Sequence, residues 1–137
     1  MSNEKRFILA NLGFYFLIFL WAISNCVTVS NERKVAISQL SLSIGDRVFV
    51  RYNIAPGKQV RIFYWPWTGI SNGERFWSVK AQFANGTVDG ESDSVSTNGY
   101  AYRQLGERKL FDFVSTPIGD DVMICDGKTW GGSSCRR

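Results

Sequence analysis

Histidine is absent from the 137 residues, so neither a Ser-His-Asp nor a Cys-His catalytic set can be assembled, and no zinc site containing histidine can exist. Three cysteines are too few for a Cys₄ site. Charge is also scarce, with 16 basic side chains against 12 acidic ones and only 20% charged residues in all. That balance is too weakly basic to argue for a polyanion as partner. Prolines number only three, whereas 45% of the chain is hydrophobic, which excludes a disordered or collagen-like chain. A chain of this length has room for one small domain and one appended segment.

The appended segment stands at the N-terminus. Asn3, Glu4, Lys5 and Arg6 form a short charged start, and from Phe7 to Val29 there is no charge at all. The apolar core of that run, Phe7 to Ile23, has Asn11 as its only strongly polar member. A membrane span needs about 20 apolar residues and the apolar region of a signal peptide about 7–15, so the run lies across the boundary. Three readings follow. The first is a single-pass signal-anchor with Trp21 at the outer interface. The second is a cleaved signal peptide, with Ala22 and Ser24 as the small residues before the cut. The third is a lipoprotein signal in which Ile23-Ser24-Asn25-Cys26 supplies the lipidated cysteine. The chain accordingly divides into an anchor or signal segment, residues 1–30, and an exported domain, residues 31–137. Cys125 and Cys135 in CDGKTWGGSSC are spaced to close on each other as a disulfide in an oxidising compartment. Asn85-Gly86-Thr87 is a formal glycosylation sequon and equally an Asn-Gly turn.

After the anchor, alternation and turn signals replace helical periodicity, so the domain is expected to be mainly β, a small antiparallel sandwich or barrel. Strands are expected at 35–43, 75–84, 100–105, 109–116 and 121–125. The clearest unit is a hairpin of 47–54 with 59–65 across the turn Ala55-Pro56-Gly57-Lys58. With Ile54 opposite Gln59, Val48, Val50 and Tyr52 share a core face with Arg61, Phe63 and Trp65. The segments from Trp67 to Glu74 and from Asp89 to Gly99 are expected to be loops. Asp89, Glu91 and Asp93 alternate as calcium ligands often do, but without the glycine and glutamate positions of a calcium loop they read as a solvated acidic stretch, and no metal is assigned.

Several chemistries lack a carrier. Asp112, Asp120 and Asp121 have no neighbour that marks a catalytic carboxylate, and the glycines near the C-terminus fit no phosphate loop. Arg47, Arg51 and Arg61 alternate with Phe49, Phe63 and Tyr64 in the manner of a single-strand stacking platform. Export would separate such a surface from most nucleic acid, and none is expected as a partner. What remains distinctive is the aromatic run Tyr64-Trp65-Pro66-Trp67, suited to a ligand or to a bilayer surface. Pro66 is expected to end the strand and free Trp67 to turn outward, while Trp65 packs inside.

The stretch from Lys58 to Trp67, followed by Trp77-Ser78-Val79, is similar to the hairpin and tryptophan-rich segment of aegerolysins. That resemblance implies a β-sandwich that binds membrane lipids and assists pore formation. It is confined to this stretch, and the N-terminal anchor departs from the family, so it does not decide the reading. The expected role is that of a non-enzymatic, membrane-anchored binding or assembly component of an envelope or membrane complex, without a cofactor. Its partners are the lipid bilayer and a protein of the complex, and Arg47, Arg51, Tyr64 and Trp67 are the candidate binding residues. The alternative is a secreted, cytolysin-like effector that binds a glycan or a lipid headgroup through the Trp-rich loop.

Overall fold

The computed structural model describes residues 1–71, 73–96 and 105–136. It is mainly β, with one N-terminal apolar helix. The helix α1, Asn3–Ile23, starts with the Ser2 hydroxyl accepting the Lys5 N–H at 3.4 Å, and at 1.5 Å per residue its 21 residues reach about 31 Å, the thickness of a bilayer core. No residue of α1 is buried against the rest of the chain. Its one strongly polar apolar-run member, Asn11, donates to the Phe7 carbonyl at 2.8 Å and so leaves less polarity facing outward.

Among the described residues ten strands follow: β1 Asn25–Asn31, β2 Ile37–Ile44, β3 Arg47–Ile54, β4 Gln59–Tyr64, β5 Ile70–Ser71, β6 Glu74–Phe83, β7 Val88–Ser96, β8 Glu107–Thr116, β9 Gly119–Lys128 and β10 Ser133–Arg136. One sheet runs β10-β9-β8-β1-β4, and the other runs β3-β2-β6-β5 with β7 also on β6. All pairs are antiparallel except β1 with β8, which run parallel. Between the sheets lie Val27, Val29, Leu40, Leu42, Ile62, Trp77, Val79, Phe111 and Phe113, all buried. Only one residue, Ser24, separates α1 from β1. The tail of the uncharged N-terminal run therefore becomes the strand between β8 and β4, part of the β body, rather than part of the anchor.

The strands near 35–43, 75–84, 109–116 and 121–125 form as β2, β6, β8 and β9. The expected strand at 100–105 lies almost wholly outside the described residues. The hairpin is not formed. β3 pairs with β2 in one sheet and β4 with β1 in the other, so Ala55–Lys58 is a corner between sheets. Buried Asn31 holds that corner. Its N–H donates to the Lys58 carbonyl at 2.9 Å, its Nδ2 donates to the Val35 and Ile54 carbonyls, and its own carbonyl accepts the Gly57 N–H at 2.6 Å.

The expected core face is inverted for the same reason. β1 places Val27 and Val29 inward, and its register sets them opposite Ile62 and Val60. Even-numbered residues of β4 thus enter the core, and Arg61 and Phe63 face out. On edge strand β3, Val48 and Tyr52 are exposed and only Ile54 is buried. The aegerolysin resemblance rested on that hairpin and loses its structural basis with it.

The acidic stretch is a strand rather than a loop. Along β7, Asp89, Glu91 and Asp93 stand opposite Ala81, Val79 and Trp77 of β6, so their alternation points them toward the sheet-to-sheet side. There Arg33, 4% exposed, pairs with Asp89 at 2.5 Å, donates to the Val114 and Asp121 carbonyls, and lies over the rings of Phe83 and Phe113. Lys109, equally buried, pairs with Asp93 and with Asp126 and sits 4.3 Å from the Trp77 ring centroid. The alternation is that of a half-buried strand whose carboxylates answer two buried cations.

Cys125 and Cys135 form a disulfide, at directly opposed positions of β9 and β10. Closure of so short a loop contributes about 2–3 kcal/mol. The double substitution Cys125→Ser/Cys135→Ser should lower the unfolding free energy measured by denaturant titration by about 2–3 kcal/mol. Beside it, burial alone would raise the Asp93 pKa, but the Lys109 and Arg136 contacts outweigh burial and hold it below the ordinary value. A depressed carboxylate stabilises the fold above its unfolded pKa, about 3.9, and this contribution fades as pH falls through the lower folded value. Stability measured against pH should therefore drop less steeply below about pH 4 in Asp93→Asn than in the parent.

Candidate functional site at the end of the helix

The last turn of α1 enters the β body with its carbonyls already taken. A helix leaves its final carbonyls without intrahelical donors. Here the Leu20 carbonyl accepts the Ser24 N–H at 3.0 Å and that of Ile23 accepts the Gly106 N–H at 3.0 Å. The Ala22 carbonyl accepts the Thr129 hydroxyl at 3.0 Å. Those of Trp21 and Ser24 accept the two Nη groups of Arg108. Gly106 needs both a left-handed φ, +65°, and space: a Cβ there would stand 2.5 Å from the Trp130 ring and 2.7 Å from the Ala22 carbonyl. The body thus acts as the C-terminal cap of the helix.

Several exposed aromatics stand around this junction. Trp21, Phe63, Trp65, Trp67 and Trp130 are all exposed, and Trp77 alone among the tryptophans is buried. Trp65 and Trp67 stack with ring centroids 5.7 Å apart and planes 5° apart. The Arg108 guanidinium lies 5.4 Å from the Trp21 ring centroid and 5.8 Å from that of Phe63. An apolar groove of about 340 Å³, lined by Leu20, Trp21, Ser24, Phe63, Tyr64 and Trp65, runs between the helix end and the end of β4.

A buried polar cluster fixes the tryptophan-bearing loop from below. Arg75, fully buried on β6, donates through Nε to the Thr68 carbonyl at 2.9 Å and through Nη2 to the Pro66 carbonyl. Its charge faces Glu107 at 3.6 Å, and the guanidinium lies over the Tyr64 and Trp77 rings. Burial pushes the Glu107 pKa up against the pull of Lys109, Lys128 and Arg75, and burial together with the Glu107 charge pushes the Tyr64 phenol up. From above, Gly45 and Gly69 approach so closely that a Cβ on Gly45 would lie 2.6 Å from the Gly69 backbone, and both need left-handed φ, +61° and +71°.

The four candidate binding residues are not brought together as one site. Trp67, 65% exposed, turns outward past Pro66 as its sequence position implies. Tyr64 does not: it is 6% exposed, and its hydroxyl accepts the Trp77 indole N–H at 3.2 Å. Trp65, assigned to the core by the hairpin register, is 44% exposed and joins Trp67 on the surface. Arg47 and Arg51 are exposed on edge strand β3, where Arg47 and Arg51 oppose buried Ile44 and Leu40 of β2. Neither has an ion-pair partner among the described residues. Nothing in the sequence marks Arg108 or Trp130, and Phe63 reads there as a core residue or part of a stacking platform, because their neighbourhood depends on β1 lying between β4 and β8. The one legible signal was the tryptophan content near two turn regions.

Among the described residues, no three acidic or cysteine side chains converge as a metal site. Cys26, the cysteine of the lipoprotein reading, is 3% exposed on β1 between β8 and β4. Tyr64→Phe should cost about 1–3 kcal/mol by leaving the Trp77 N–H buried without its acceptor. Trp65→Ala and Trp67→Ala should each leave the melting temperature close to that of the parent. Thermal denaturation of the three variants side by side checks this; a large loss at Trp65 would return that ring to the core.

Comparison with family models, curated proteins and solved structures finds no match to this chain.

Proposed function

We propose that this chain is a membrane-anchored binding or assembly component, held by α1 and acting outside the cytoplasm through its β domain by contacts rather than by turnover. The observation that carries the reading is the set of exposed aromatic rings gathered where α1 meets the body. Tryptophan and other amphipathic rings favour the boundary between headgroups and acyl chains. Rings at the end of an apolar helix seat the base of the domain on the bilayer surface. The disulfide Cys125–Cys135 supports an oxidising compartment.

The helix cap supports retention of α1. Cutting after Ser24 would leave the Arg108, Thr129 and Gly106 donors without the carbonyls they hold, and would put a charged terminus on Asn25, which is fully buried. A protein partner fits edge strand β3 best. Among the described residues its outer backbone edge is open in the sheet order, Arg47 and Arg51 stand along it, and Val48 and Tyr52 offer exposed apolar surface. The secreted glycan- or headgroup-binding alternative draws on the Trp65–Trp67 pair, but parallel stacking leaves each ring only one free face.

Intact mass of the protein purified from membranes should include residues 1–24 without added lipid, and added protease should digest the β domain only from the non-cytoplasmic side. A mature mass beginning at Asn25 in a soluble fraction would favour the secreted alternative. A cytoplasmic β domain would overturn the topology.

A further inference from the structure

Resting on the membrane reading, the geometry points to a specific anionic phospholipid site: the groove between the last turn of α1 and the outer face of β4, with its phosphate recognised by Arg108 and Arg61. The argument begins with shape. The groove holds about 340 Å³, within the range of small-ligand pockets, and its walls are the apolar faces of Leu20, Trp21, Phe63 and Trp65. Phe63 and Trp21 are exposed to about half of their surface. Rings grouped in this way around a concavity mark a binding surface, whereas single exposed rings do not. One wall belongs to α1 itself, so an acyl chain lying in the groove continues along the exposed side of the helix into the bilayer without leaving an apolar surface.

Charge supplies the headgroup. In the sheet, Cys26 stands beside Phe63 on β4 and Arg108 on β8, while Thr28 stands beside Arg61. Burial raises the Cys26 pKa, and the charges of Arg108 and Arg61 both pull against that rise. Among the described residues neither arginine has an acidic partner within 4.0 Å. Arg108 spends its Nη donors on the Trp21, Ser24 and Glu107 carbonyls, which orient the guanidinium without neutralising it. Two uncompensated guanidinium groups beside an apolar groove at the level of the headgroups match the phosphate and acyl chain of one anionic glycerophospholipid. A zwitterionic lipid brings its own cation to the same place and gains less.

The test uses the full chain, delipidated in a mild detergent and placed in nanodiscs of phosphatidylcholine with or without phosphatidylglycerol. Native mass spectrometry should find phosphatidylglycerol retained on the chain in preference to phosphatidylcholine, and brominated phosphatidylglycerol should quench tryptophan emission more than brominated phosphatidylcholine at equal fraction. Inorganic phosphate should not displace the bound lipid, since it lacks the acyl chain. Arg61→Gln should weaken retention about fivefold, and Phe63→Ser should weaken retention of both lipids. Both positions are exposed, and an unchanged melting temperature shows that the variants remain folded. Equal retention of the two lipids, or no effect of either substitution in a chain that stays in the membrane, overturns the site. A chain that leaves the membrane on carbonate washing instead overturns the membrane reading on which the site rests.

Discussion

The direct passage from helix to strand is the constraint on which the rest of the molecule depends. With Ser24 as the only residue between α1 and β1, the direction of the helix is coupled to that of a strand hydrogen-bonded on both sides. Helix ends usually fray because their last carbonyls face water. Here those carbonyls are bonded by Arg108, Gly106 and Thr129, so the junction behaves as part of the folded body. The body is consequently held at a set orientation to the helix, and the rings near the junction are held in a set place beside the helix end.

Polarity is buried at particular points between the sheets. Arg75 and Lys109 are buried between the sheets, and each is matched by a carboxylate, with aromatic rings beside it. Buried ion pairs are weak evidence for added stability, since desolvation offsets most of the attraction. Their contribution here is geometric. Arg75 bonds the Pro66 and Thr68 carbonyls and so fixes the loop that presents Trp65 and Trp67. Arg33 does the corresponding work at the other end of the sandwich, joining β7, β8 and β9 through Asp89, Val114 and Asp121.

An uneven distribution of free charge follows. The acidic side chains of β7 are largely consumed by Arg33, Lys109 and Arg136. The basic ones of β3 and β4, Arg47, Arg51 and Arg61, have no such partners among the described residues. The flank formed by β3 and β4 is therefore the side of the domain most open to an acidic or anionic partner, although the overall charge of the chain is small.

What the sequence determined by itself is local. The uncharged run specifies a long apolar helix, alternation and turn residues specify strands, and the spacing of Cys125 and Cys135 permits their closure. Each of these depends on neighbours a few residues away. Strand pairing does not. Residues 47–54 and 59–65 alternate equally well whether they pair with each other or part into two sheets, and β4 carries large apolar residues on both faces: Val60, Ile62 and Tyr64 on one, Phe63 and the following Trp65 on the other. Only the insertion of β1 between β4 and β8 decides which face is core, and β1 lies in a segment whose composition resembles membrane anchor. The same long-range choice brings Phe63 and Arg108 beside Trp21, because residues far apart in the chain meet there only once the sheet has closed.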